Sequence, residues 1–86
     1  MFRRRSRRGA DVHVGDATYD EWAVVRDFDD LQTALAFRDQ LRDAGIKAVL
    51  TSDWELDRFD RGDIAMRVEG ADYGDAEVLL SGLDDD

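Results

Sequence analysis

The chain has 86 residues, enough for one small domain, with 12 basic and 21 acidic side chains and a formal charge of −9. It contains no Cys and no Pro, so disulfides, thiolate chemistry and Cys-based zinc or iron–sulfur sites are excluded. No window approaches ~18 consecutive apolar residues, which excludes a transmembrane helix read from hydropathy.

The net charge divides unevenly. Arg3, Arg4, Arg5, Arg7 and Arg8 give the first eight residues +5, and residues 9–86 then carry 7 basic and 21 acidic groups, a formal −14. A cationic arm therefore precedes an acidic body. An acidic body repels phosphate and argues against a basic nucleic-acid face. A secretory signal needs an apolar stretch of about 7–15 residues after its cations. Here the arginines run into Gly9-Ala10-Asp11, so a cleaved signal is not expected and a cytoplasmic location is.

Residues 1 to about 20 show no sustained periodicity and read as a flexible, Arg-rich arm. Val12-His13-Val14 has the composition of a short strand, stopped by Gly15-Asp16. The domain pattern spans residues 21–83, and residues 84–86 form an acidic tail. In Trp22–Phe28, positions 22, 24 and 28 share a face at period 2, which predicts a first strand. Asp29 and Asp30 are cap residues; with Asp29 as N-cap, Gln32 completes a capping-box-like arrangement. Leu31, Ala34, Leu35, Phe37, Leu41 and Ala44 recur at three- and four-residue spacings. They predict a helix over about 30–44, with Arg38, Asp39, Arg42 and Asp43 mostly on its other side. Gly45 supplies a left-handed residue to end it, with Ile46 folding back on Leu41 as in a Schellman motif.

Ile46–Thr51 predicts a second strand, Ser52–Gly62 a connection, and Asp63–Glu69 a third strand. Ile64, Met66 and Val68 alternate with Arg67 and Glu69, so one sheet face is expected packed and the other wet. Asp72 is an expected N-cap for a final helix over about 73–83, with Tyr73, Ala76, Leu79, Leu80 and Leu83 as its apolar stripe.

The order β-α-β-β-α predicts a two-layer α+β half-sandwich. The third strand lies between the first two, and both helices lie on one face. This is a ferredoxin-like arrangement with three strands rather than four. The missing strand leaves one edge of the first strand open, to be covered by Val12–Val14 or by a second copy of the chain in a homodimer.

From Trp22 to Leu83, about three quarters of the chain, the sequence resembles a family of small bacterial proteins described as signal-transducing, a domain-of-unknown-function family with a ferredoxin-like fold. The likeness rests on four features: the opening strand, the acidic cap with its Ala-rich helix, the Leu41-Arg42-Asp43-Ala44-Gly45-Ile46-Lys47-Ala48 turn, and the closing segment from Val68 through Ala76 to Leu79-Leu80. It implies a ferredoxin-like fold and a regulatory role. It carries over no catalytic residue, and neither the arm nor the aromatic connection belongs to the pattern.

Two segments stand out as candidate partner-binding elements. Arg3, Arg4, Arg5, Arg7 and Arg8 suit an acidic protein partner, the phosphates of a nucleic acid or an anionic membrane, or else form a solvated tail. In Ser52–Gly62, Trp54, Arg58, Phe59 and Arg61 are of types enriched in interface hot spots. The competing reading has Trp54 and Phe59 capping the open end of the core. Asp53, Asp57, Asp60 and Asp63 lack the spacing of a calcium loop, so no metal or cofactor is expected. His13 is the one imidazole, Ser52 and Ser81 have no His close in sequence, and no Gly-rich phosphate loop exists. The expectation is a non-catalytic protein-interaction or regulatory module, an accessory subunit of a larger bacterial assembly. A small-ligand sensor is the alternative.

Overall fold

In the computed structural model, residues 11–84 are described, with the Asp84 side chain excepted. The arginines of the arm lie outside the described residues. The elements are β1 (Val12–Val14), β2 (Ala23–Asp30), α1 (Leu31–Asp43), β3 (Ala48–Ser52), β4 (Arg61–Val68) and α2 (Tyr73–Asp84). Short 3-10 turns at Ala17–Tyr19 and Gly70–Asp72 precede β2 and α2. The fold is α+β.

The sheet has four strands in the order β1-β3-β4-β2, which corrects the expected three. β3 and β2 each pair antiparallel with β4, and the extra strand β1 pairs parallel with β3. β4 therefore sits between the strands read as first and second, as the β-α-β-β-α order predicts. Val12–Val14 does join the sheet, but on the far side of β3. The outer edge of β2 is left without a paired strand among the described residues.

Register explains the core. Ala48, Leu50, Ile64, Met66 and Val68 stand on one face and pack with Leu31, Ala34 and Leu41 of α1 and with Ala76 and Leu80 of α2. Both helices cover that face because their stripes, spaced at three and four residues, have nowhere else to bury. Phe28 meets Phe37 of α1 with ring centroids 5.2 Å apart.

β2 departs from a clean period of 2. Its pairing with β4 shifts register between Val24 and Arg26 and again between Phe28 and Asp30. The first shift leaves an extra residue, Val25, in β2, and it turns into the core although its number has the wrong parity; the second puts the extra residue in β4. The same irregularity corrects the expected start: Trp22 lies before β2 rather than in it.

The helix ends follow their chemistry. Asp30, not Asp29, is the N-cap of α1, and its carboxylate accepts from the Thr33 amide at 3.1 Å. That bond and the neighbouring Thr33 hydroxyl hold the Asp30 carboxyl below its ordinary pKa. At the other end Gly45 has φ +89°, and the Ile46 amide donates to Leu41 O at 2.9 Å while the Gly45 amide donates to Arg42 O at 2.9 Å. These are the two bonds of a Schellman motif. Asp72, the expected N-cap of α2, is the last residue of the 3-10 turn that runs straight into the helix.

The edge strand β1 is short and needs outside support. Arg38 supplies it, although its sequence position placed it on the polar side of the helix. Its guanidinium is mostly buried and reaches Asp11 at 3.3 Å as well as Asp39 at 3.1 Å. Beyond β1, the Gly15 amide donates to Ser52 O at 2.8 Å.

Replacing Gly45 with Ala places a Cβ in the left-handed region and is expected to lower stability by about 1 kcal/mol. A urea melt reads this as a lower midpoint with unchanged slope; an unmoved midpoint contradicts the assigned role of Gly45.

Candidate functional site

The connection between β3 and β4 is hydrogen-bonded along most of its length. The Ser52 hydroxyl donates to Trp54 O at 2.7 Å and accepts from the Trp54 amide at 3.3 Å. Farther on, one oxygen of Asp57 accepts from the amides of Phe59 (2.8 Å) and Arg61 (3.0 Å). The Asp57 amide donates to Arg61 O, and the Asp60 amide to Asp57 O. This is the way an Asp side chain closes a tight turn. It holds Asp60 at φ +61°, and Asp60 O in turn accepts from the first amide of α1, that of Leu31, at 2.9 Å. The loop is thus tied to the helix that covers the core.

Leu56 is the side chain of this loop that folds back against the core. Gly62 makes room for it, since a Cβ there would stand 2.8 Å from Leu56 Cδ2. Trp54 and Phe59 do not cap the core: they are 75% and 70% exposed. The competing reading of these two aromatics is therefore overturned, with Leu56 in the place it gave them. The Arg58 guanidinium lies 5.2 Å from the centre of the Phe59 ring, a cation–π distance. Arg61 opens β4, exposed, with its charge near the Asp30 carboxylate. Trp54 borders a hollow of about 170 Å³ on the sheet face away from the helices, beside Asp27, Ser52, Asp63 and Arg67.

That second face was expected to be wet. Part of it is covered by residues 17–22, which cross it as a strap. Arg67 holds the strap. Its Nε donates to Thr51 Oγ1 at 3.0 Å, and its Nη1 lies 3.1, 3.2 and 3.1 Å from the carbonyl oxygens of Tyr19, Asp20 and Trp22. Two hydrogens are shared among three acceptors. The strap is stiffened by an aromatic row: Tyr19 packs 4.8 Å from His13 and edge-on, 5.0 Å, to Trp22. His13 also lies 3.8 Å from an oxygen of Asp16. At the C-terminal end of α1, Tyr19 and Trp22 border an open groove of about 470 Å³ with Arg42, Ile46, Lys47 and Val49.

The loop residues named from the sequence are thus brought together in part. Arg58 and Phe59 stack, Trp54 stands at the sheet side of the loop, and Arg61 closes its base. The sequence reasoning missed Asp57, Arg67 and the Tyr19–Trp22 wall. A signal for Asp57 exists in Asp57-Arg58-Phe59-Asp60-Arg61, where an Asp can receive amides two and four residues on. No group of three or more His, Asp or Glu side chains among the described residues is placed to hold a metal ion. No helix among them is long and apolar enough to cross a membrane. Comparisons with protein-family models, with curated proteins and with solved structures give no match.

The packed and the exposed side chains of the loop separate by mutation. Leu56→Ala is expected to cost about 1–3 kcal/mol in a chemical melt, whereas Trp54→Ala stays within about 0.5 kcal/mol. Equal losses from both would return Trp54 to a core-capping role. Arg67→Lys replaces a planar fork with a single ammonium that cannot span Thr51 and the strap. It is expected to speed hydrogen exchange at the Trp22 amide at least ~10-fold while α1 amides hold their rates; an unchanged Trp22 rate would detach the strap from Arg67.

Proposed function

We propose that this chain is a non-catalytic protein-interaction module of the bacterial cytoplasm, with the Trp54–Phe59 loop as its docking element. The observation that carries this is the contrast within the loop. Its backbone is pinned by Ser52, Asp57 and Leu31, yet its two aromatic side chains stand mostly in water. A mobile loop would lose conformational entropy on docking; a pinned one has already lost it. Exposed Trp and Phe beside Arg match the residue types that anchor protein interfaces.

The loop is favoured over the open edge of β2. That edge carries two register shifts and the charged residues Arg26, Asp27 and Asp29. Bulges and charges are the devices by which edge strands avoid pairing with other chains. A homodimer built by β2 pairing with its copy has those devices against it. In finer architecture the chain is proposed to be ferredoxin-like: β2-α1-β3-β4-α2 has the right element order, with β1 added outside β3. That fold agrees with the resemblance to the signal-transducing family and with a role as accessory subunit. Arg3, Arg4, Arg5, Arg7 and Arg8 enter the proposal as a second, electrostatic contact.

A photo-crosslinking residue placed at Arg58 in cells of the native host tests the reading. A discrete protein adduct is expected, lost when Trp54→Ala is added and retained when exposed Val78 on α2 is changed to Ala. An adduct indifferent to Trp54→Ala, or no adduct at all, overturns the loop as docking element. Both variants are exposed and should melt like the parent, so loss of folding does not confound the result.

A further inference from the structure

The groove at the C-terminal end of α1 is unlike the rest of this acidic body. Its wall is the edge-to-face pair Tyr19 and Trp22, its floor includes Ile46 and Val49, and its rim carries Arg42 and Lys47. Lys47 is the one lysine in the chain. Arg42 is fixed at the rim because its Nε and Nη2 both donate to Ala48 O, at 3.1 and 3.0 Å. The wall is fixed as well, since the carbonyls of Tyr19 and Trp22 are held by Arg67. The site is therefore a preformed open groove of about 470 Å³, aromatic along one wall, with two cations at its mouth. It suits an aromatic side chain flanked by carboxylates.

An exposed segment of the described chain has that chemistry: Asp53-Trp54-Glu55-Leu56-Asp57, with Trp54 standing in water between Asp53 and Glu55. It cannot reach the groove of its own chain. The groove lies where β3 begins, beside Ala48 and Val49, and the loop leaves where β3 ends, at Ser52. Five strand residues, roughly 17 Å of extended chain, separate them and point them in opposite directions.

We propose that the groove receives the Trp54 loop of a second copy of this chain, in a head-to-tail contact. This rests on the reading of the loop as a docking element and names a partner for it. The contact is heterologous, so each copy keeps a loop at one end and a groove at the other, and assembly continues to a ring or a short file. The surface is small, and both copies are acidic. Association is therefore weak, of the order of 100 μM, in the range of transient contacts.

Sedimentation velocity on the full chain, over roughly 10 μM to 1 mM, tests this. The expected result is a weight-average mass that climbs past the dimer. Trp54→Ala removes the knob and Lys47→Glu reverses the rim; both positions are exposed, and each change alone is expected to weaken association at least ~10-fold. Mixing the two variants is the decisive arm. Lys47→Glu still has a loop and Trp54→Ala still has a groove, so together they form a dimer of one of each that does not extend. A wild type that stays monomeric to 1 mM overturns the inference. So does a mixture that forms no mixed dimer, because a symmetric contact lacks this complementation. A monomeric wild type whose Arg58 crosslinker still captures another protein in a Trp54-dependent way overturns the self-contact alone and leaves the loop reading standing.

Discussion

One guanidinium organises the face of the sheet that the helices leave uncovered. Arg67 projects from β4, the one strand with a partner on both sides that both come from the β2–β3 unit. From there it touches β3 through Thr51 and the strap through three carbonyls. Hydrogen bonds from a charged donor are each worth about 1.5–3 kcal/mol when their loss leaves groups unpaired. A domain of this size gains only about 3–5 kcal/mol from its core. Against that total, the attachment of the strap is not a surface detail. It sets where Tyr19 and Trp22 stand, and through them the wall of the groove.

The sheet is finished in an asymmetric way for a related reason. Two helices and a few strands make a thin core, and each edge has to be protected without a large covering layer. On the β3 side the protection is a three-residue strand, held by Arg38 through Asp11 and by the bond from Gly15 to Ser52. On the β2 side it is irregularity: two register shifts that spoil the template, with charged side chains along it. The extra strand goes to β3 because β3, Ala-Val-Leu-Thr-Ser, is regular and carries no charge, and would otherwise be the more exposed template.

Features set by local chemistry were legible in the sequence. The Gly45 ending of α1 follows from one residue that tolerates positive φ and stands as read, while the stripe holds at Leu31, Ala34 and Leu41 but takes in Arg38 and leaves Ala44 exposed. The position of β4 followed from the β-α-β-β-α order and its right-handed crossover. What failed were features set by long-range partners. The bulge at Val25 erases the period of 2, so Trp22 looked like part of a strand it only precedes. Asp29 and Asp30 are equivalent caps in sequence, and only the path of the loop, with Asp60 O on the Leu31 amide, chooses between them. Arg67 and Arg38 read as solvated charges because the acceptors that hold them in place, the strap carbonyls for Arg67 and Asp11 for Arg38, lie 27 to 48 residues away. In the loop, composition drew attention to Trp54 and Phe59, while the residue that packs is the smaller Leu56, selected by the gap that Gly62 leaves.

Charge then decides what kind of contact remains open to such a body. A surface at −14 over residues 9–86 repels most other acidic surfaces at distances up to a Debye length, about 8 Å at physiological salt. Long-range steering toward an acidic surface is therefore unfavourable, and a docking element must act at short range. The two exposed aromatics meet that requirement: their burial is favourable whatever the net charge, and the flanking carboxylates of Asp53 and Glu55 only select which surfaces they approach. A cationic, aromatic-walled recess, the partner surface proposed above, has the matching charge. In the proposed head-to-tail contact both bodies are acidic, so the apolar surface of Trp54 has to outweigh their mutual repulsion.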